Sequence, residues 1–294
     1  MEPWTIQRLL TWITEYLTDK DVEAPRLSAE LLLSNILSLK RIELYMHFGQ
    51  VVEKQQLERL RDMVKRAGAH EPVAYLVGKT EFYSIEIEVN QDCLIPRPET
   101  ELLVERAIEF LRGREGPQSV CDLCTGSACI AVAIAKNFPH AHVVATDISD
   151  AALAVAARNI EKYQLEDRVT LLNGDLFDPV IPHLDGSTFD LIVCNPPYVS
   201  STEYEALDKN VREYEPALGL LAGQDGLDVY RRIADHAGGL LKDNGAIMLE
   251  VGYSQGPAVR KLVEEAGLSR AVKIEKDFND NDRIVIAVRG ENAG

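Results

Sequence analysis

Asn195, Pro196, Pro197 and Tyr198 stand together at the end of the apolar run "FDLIVC". Two consecutive prolines remove two backbone donors and fix φ, so the turn offers carbonyl oxygens without competing N–H groups. The Asn195 side chain adds one more carbonyl. Asn195 and the Pro196 carbonyl can together accept both hydrogens of an –NH₂ group while the Tyr198 ring packs on its flat face. The tetrad therefore reads as a device for holding a planar amino or amide nitrogen.

Three further strand ends carry groups of a different kind. "DLCTGSAC", Asp122 to Cys129, sets Gly126 in a loop leading into a helix; about twenty residues on, Asp147 closes "HVVATDI"; Asp175 closes "RVTLLNGD". An acid at that distance from a glycine loop is placed to accept hydrogen bonds from ribose hydroxyls. A dinucleotide fingerprint would have glycine where Cys124 stands, so a pyrophosphate cofactor is disfavoured. S-adenosylmethionine has a ribose and an adenine but no pyrophosphate, and a looser loop serves it. Each acid also has a plainer reading: Asp150 rivals Asp147 as the cap of the next helix, and Asp175 can simply make a turn.

The elements that must deliver these groups follow from periodicity. From about residue 119 strand-like and helix-like segments alternate: strands at 119–124, 142–148, 168–175, 189–195, 245–252, 271–277 and 283–289, with helices from Ser127, from Asp150, near 226–241 and near 257–267. This predicts an α/β fold, a doubly wound, seven-stranded, mainly parallel sheet with helices on both faces. In such a sheet ligands bind beyond the carboxyl ends of the strands, where strand order reverses, and all four groups close a strand. Ahead of the sheet, apolar residues recur at helical spacing (Ile6, Leu9, Leu10, Ile13, Leu17; Leu27, Leu31, Leu32, Ile36; Leu57, Leu60, Val64, Ala67), a small helical bundle. "EFYSIEIEVNQDCLI" (81–95) alternates around Asn90–Asp92 and reads as a β-hairpin joining two domains. The expected divisions are 1–78 (bundle, substrate docking), 79–98 (hairpin) and 99–294 (catalytic domain), with the long connection 199–225 as a binding loop.

Composition narrows the class. Of 294 residues, 46% are hydrophobic, as in an ordinary globular protein. The opening "MEPWTIQRLL" has no basic segment followed by an apolar stretch, and no stretch approaches the ~20 apolar residues of a membrane span, so a soluble, cytoplasmic protein is expected. Five cysteines, mostly in or beside core strands, read as small core residues and not as a disulfide framework or metal site. Residues 1–80 hold 11 Lys+Arg and 11 Asp+Glu, leaving 20 and 36 to the remainder, which carries the whole net charge of −16. An acidic catalytic part weakly disfavours a nucleic-acid substrate.

The core resembles a class I S-adenosylmethionine-dependent methyltransferase, Rossmann-like in plan, and the tetrad resembles the [DN]PP[YF] signature of enzymes that methylate planar nitrogen. "EFYSIEIEVNQDCLIPRPETELLVE" (81–105), "NPPYVS" (195–200) and "REYEPALGLLAGQDGLDVYRRI" (212–233) are similar to the glutamine-N5 methyltransferases of peptide chain release factors, the PrmC/HemK type, over nearly the whole chain. The resemblance implies that Asn195, Pro196, Pro197 and Tyr198 bind the glutamine of a release factor's Gly-Gly-Gln motif and carry the catalysis. It also implies that Cys124, Thr125, Gly126, Ser127 and Ala128 form the cofactor loop, that Asp147 binds ribose, and that Asp175 and Leu176 lie by the adenine, with Asn195 touching the cofactor too. Where the family usually has Gly-Thr-Gly-Ser-Gly, this chain has Cys124 and Ala128 in place of two glycines. The expected actor is a monomer working on a protein in translation termination, leaving S-adenosylhomocysteine as product. Rival readings are a ribosomal-protein glutamine methyltransferase and a nucleic-acid adenine-N6 methyltransferase.

Overall fold

A computed structural model describes residues 3–183, 188–269 and 271–290. The chain forms two compact units: a helical one ending at Lys79 that also takes in Asp208–Tyr214, and a second one made from the rest, beginning at Thr80.

The helical unit contains α1 (Ile6–Thr18), α2 (Pro25–Leu37), α3 (Arg41–Met46), α4 (Lys54–Ala67) and α5 (Val73–Val77). Thr5 caps α1 by accepting from the Arg8 amide, and the face Ile6, Leu9, Leu10, Ile13 and Leu17 is buried, as its spacing predicts. In α2 the buried apolar set is Ala29, Leu32, Leu33 and Ile36, whereas Leu31 is only part-buried and Leu27 is exposed, lying in the first turn after Pro25 on the side turned to solvent. Glu30 is buried among the same helices and is satisfied by Arg26, Arg41 and Tyr45, the pairing a buried carboxylate needs.

The second unit opens with β1 (Lys79–Phe82) and β2 (Ile85–Glu88). The hairpin turn is at Tyr83–Ser84 and not at Asn90–Asp92. Tyr83 and Ser84 both adopt positive φ, 50° and 57°, as a two-residue turn of the I′ kind requires. Asn90 instead makes a local side-chain turn, its Oδ1 accepting the Asp92 amide at 3.0 Å, which competes with strand pairing there. Then follow α6 (Thr100–Arg112), β3 (Gln118–Leu123), α7 (Cys129–Asn137), β4 (Ala141–Asp147), α8 (Asp150–Lys162), β5 (Val169–Asn173), β6 (Phe189–Cys194), α9 (Ser201–Ala206), then α10 (Lys209–Arg212), which belongs to the helical unit, and α11 (Asp228–Leu240), β7 (Leu241–Glu250), α12 (Gly256–Glu265), β8 (Lys273–Lys276) and β9 (Asp282–Val288). The stretch expected as one long loop, 199–225, is thus broken into short helices.

The sheet has seven strands in the order β5-β4-β3-β6-β7-β9-β8. It is parallel except for β9, which runs antiparallel to both its neighbours. The central strand β6 is buried at every position, as in a strand covered on both faces, and is apolar but for Asp190, whose carboxylate accepts from Lys242 and from the Ser119 amide. Register settles what emerges where. Leu123 is level with Thr146 and with Cys194, and Asp147 is level with Asn173. Cys124, Asp147, Asp175 and Asn195 therefore leave the sheet at one edge, astride the reversal of strand order between β3 and β6. Among the described residues no helix is long and apolar enough to cross a membrane.

Candidate active site

At that edge lies a cleft of about 680 Å³, counting its open mouth. Cys124, Gly126, Asp147, Asp175, Leu176, Asn195 and Pro197 line it. Seven of the residues expected from sequence are thus brought together; Thr125, Ser127, Ala128, Pro196 and Tyr198 are not on its wall.

The loop after β3 is shaped from within. Asp122 is fully buried, and its Oδ2 accepts from the Thr125 hydroxyl at 2.6 Å. Thr125 N donates to the Thr146 carbonyl at 2.9 Å, tying the loop to the next strand. Burial pushes the Asp122 carboxyl up to about 7. Asn159, buried in α8, donates to the carbonyls of Ser127 at 2.9 Å and Glu88 at 3.0 Å, bolting the loop to the hairpin. Thr125, Ser127 and Ala128 are buried because they build this frame; the wall is left to Cys124 and Gly126. No motif pointed to Asn159, since a helical asparagine has no signature of its own.

Cys124, Gly126 and Ala128 all have positive φ, 55°, 55° and 62°. A Cβ built on Gly126 would meet no protein atom within 4 Å, so the space beside it is open for close approach to the backbone. Ala128 is fully buried at the start of α7, where left-handed φ costs a non-glycine residue about 1–2 kcal/mol. In Ala128→Gly, relief of that strain offsets the lost methyl burial of about 0.8 kcal/mol and the added chain entropy of about 0.5–1 kcal/mol, so stability stays nearly unchanged. Ala128→Val adds β-branching at positive φ and two buried carbons, and is expected to cost about 2–4 kcal/mol. Thermal melts compare the two; a valine variant melting with the parent contradicts this loop geometry.

Asp147 carries one amide on each carboxylate oxygen: Gly126 N donates to Oδ2 at 2.8 Å and Ser149 N to Oδ1 at 2.9 Å. Burial holds its carboxyl above the usual range, with these amides opposing the shift. The Ile148 amide also leans on this carboxylate, whose remaining lone-pair capacity is available to a ligand in the cleft. Ser149, not Asp147, caps α8, accepting from Ala152 N. Asp175 is half-exposed and its Oδ2 accepts from Arg232 at 2.6 Å, so part of its capacity goes to an ion pair; Leu176 beside it is buried.

Asn195 is held by its amide nitrogen, which donates to the Thr100 hydroxyl oxygen at 3.1 Å. Its carbonyl oxygen is left for the cleft. Pro196 is buried and Pro197 lines the wall. Tyr198 packs on the sheet's core and lines a neighbouring groove with Glu203, Leu207 and Tyr253, and burial pushes its phenol up to about 12. Its carbonyl accepts from Gln255 Nε2 at 2.9 Å, and a Cβ on Gly226 would sit 2.3 Å from the same oxygen, so only glycine fits there. Val199 N donates to the Leu220 carbonyl at 2.8 Å and its carbonyl accepts from Ala222 N at 2.9 Å, a single parallel bridge that anchors the chain after the tetrad.

The remaining wall was not legible as motif. Leu94 comes from the segment before α6 and Leu218 and Gly219 from the segment after α10. Glu215, its carboxylate buried, joins these two segments by accepting from Ile95 N at 3.1 Å and from Arg97. Both lie in stretches quoted above for their resemblance, "PRPET" and "EYEP", but only contact 120 residues apart in sequence reveals their joint role.

The donor set fits an adenosyl sulfonium ligand: an acid with free lone pairs, an open glycine turn and an apolar wall in one cleft. Residues 8–78 match the family described as PrmC N-terminal domain and residues 99–215 the one described as Methyltransferase small domain. A release factor glutamine methyltransferase from Rhodopirellula baltica is 44% identical, covering 96% of each chain. One from Geobacter sulfurreducens is 42% identical, covering 97% of this chain and 96% of its own. A solved methyltransferase from Pyrococcus furiosus, 20% identical, aligns with TM-score 0.50 over 81% of this chain and all of its own, a likeness of fold.

Proposed function

The chain belongs to the release factor glutamine methyltransferase family, and we propose that it transfers a methyl group from S-adenosylmethionine to the side-chain amide N5 of the glutamine in the Gly-Gly-Gln motif of peptide chain release factors. The observation that carries the site assignment is Asn195, turned by Thr100 so that an acceptor remains at the cleft.

When bound, S-adenosylmethionine supplies an electrophilic methyl on a sulfonium. In that cleft Asp147 would hold the ribose hydroxyls, Gly126 would allow close backbone approach, and Leu176 would lie by the adenine, with Asp175 beside it. An amide nitrogen is a poor nucleophile because its lone pair is delocalised into the carbonyl, so positioning does most of the work. The Asn195 carbonyl and the Pro196 carbonyl accept the two –NH₂ hydrogens and aim the nitrogen at the methyl. The same oxygens lie where positive charge develops on nitrogen, stabilising the transition state. The proton then leaves to water, and no side chain is assigned as general base. We read the acting species as a monomer with a protein and not a nucleic acid as its substrate, in keeping with the acidic catalytic part.

Mass spectrometry of a purified release factor after incubation with the protein and S-adenosylmethionine tests this. One added methyl on the Gly-Gly-Gln glutamine is expected. Transfer instead to a ribosomal protein or an adenine-containing oligonucleotide, with the release factor unmodified, overturns the substrate assignment.

A further inference from the structure

Behind Asn195 stands a buried carboxylate that the reaction as described does not use. Glu250 ends β7 and is 1% exposed; Thr100, at the start of α6, is also 1% exposed. The Thr100 hydroxyl lies against the Glu250 carboxylate and, as a hydrogen-bond donor, opposes the effect of its burial; one oxygen of that carboxylate, Oε2, is buried with no partner. A carboxylate has no proton to give, so the single hydroxyl proton of Thr100 goes to Glu250. What Thr100 then presents to Asn195 is a lone pair. The Asn195 amide must meet it with nitrogen, which is the orientation found, at 3.1 Å. The backbone of Glu250 is fixed in turn, its carbonyl accepting from the buried Tyr230 hydroxyl at 2.7 Å.

Building on the reading that Asn195 grips the substrate amide, we propose that Glu250, acting through Thr100, is a positioning residue that locks the Asn195 carboxamide with its oxygen to the cleft, and so restricts the site to a nitrogen that donates hydrogens. Without that lock the hydroxyl proton can turn to Asn195, the amide can flip, and its –NH₂ then faces the substrate's own –NH₂. An unpartnered buried carboxylate is costly to keep, and a site that must tell a donor from an acceptor is a reason to keep it.

The arrangement responds to pH. Burial pushes the Glu250 carboxyl up to about 7, against the Thr100 hydrogen bond and the nearby Arg283 and Arg97, with Glu99 adding to the rise. The phenols of Tyr198 and Tyr230 also face it, and Arg283 is itself paired with Asp277. Above that pH Glu250 is charged and takes the Thr100 proton. Below it the neutral acid can donate to Thr100, which releases the lock. Turnover is therefore expected to rise with pH through about 7.

Thr100→Val, Thr100→Ser and Glu250→Gln test the lock, with methyl transfer to a release factor and calorimetric S-adenosylmethionine binding measured on each folded variant. Thr100→Val is expected to lower kcat about 10- to 100-fold with the cofactor Kd within about twofold. Thr100→Ser recovers most of that loss, and Glu250→Gln removes the rise near pH 7. Wild-type turnover in Thr100→Val, or equal loss in the valine and serine variants, overturns the lock while leaving the Asn195 reading intact. Full turnover in Asn195→Ala overturns both.

Discussion

Asn195→Ala lowers the turnover of methyl transfer by about 10²–10³-fold while S-adenosylmethionine binds within about twofold of wild type. The size follows from what is lost. The carbonyl oxygen of Asn195 is one of two acceptors that fix the substrate nitrogen, and it faces charge that grows only as the methyl moves. Such an interaction contributes more to the transition state than to the ground state, so the loss falls on kcat. The cofactor's main anchors, Asp147 and the Gly126 turn, lie on β4 and on the loop after β3, and neither hydrogen-bonds Asn195. Single-turnover kinetics with a release factor, beside calorimetry with the cofactor, separate the two effects. A loss of cofactor affinity as large as the loss of turnover would sink the division of labour.

The second large effect is expected at Asp147. In Asp147→Ala the Kd for S-adenosylmethionine rises about 100-fold or more, from two lost hydrogen bonds to a charged acceptor at about 1.5–3 kcal/mol each. The same carboxylate takes the amides of Gly126 and Ser149, at 2.8 and 2.9 Å, so the alanine also frees the glycine turn. Asp147→Asn separates the contributions: one carboxamide oxygen accepts, but its –NH₂ faces an amide donor. Affinity is expected to fall about tenfold, between wild type and alanine. Calorimetry of the three proteins gives the order, and an alanine variant that binds as wild type removes Asp147 from the cofactor site.

Most of the site's reacting edge could be read in one dimension because it is local. Asp147 closes a strand and Gly126, Asp175 and Asn195 stand one to three residues beyond one, and strand ends show in the change from apolar runs to Gly, Asp, Asn and Pro. The substituted loop shows in the sequence as two small side chains, Cys124 and Ala128, in place of glycines, but only the structure shows that both take positive φ. The hairpin turn was not: Asn90–Asp92 has the composition of a turn, but Tyr83–Ser84 takes the positive φ values. There Glu101 in α6 accepts the Tyr83 amide at 2.9 Å, a contact from outside the hairpin that helps seat an unusual turn sequence.

By itself the sequence determined the strand and helix alternation, the buried face of α1 and most of that of α4, and the chemistry of the four strand ends, since all of these depend on residues a few positions apart. Only the tertiary structure decided that Thr100 meets Asn195 across 95 positions, that Glu250 stands behind Thr100, and that Glu215 draws two distant segments onto one cleft. Those groups sit in stretches with ordinary helix, strand or loop composition. Their roles arise from hydrogen bonds satisfied in the dark of the core, where a lone pair or a proton must find its partner in three dimensions, and sequence spacing holds no record of which partner that is.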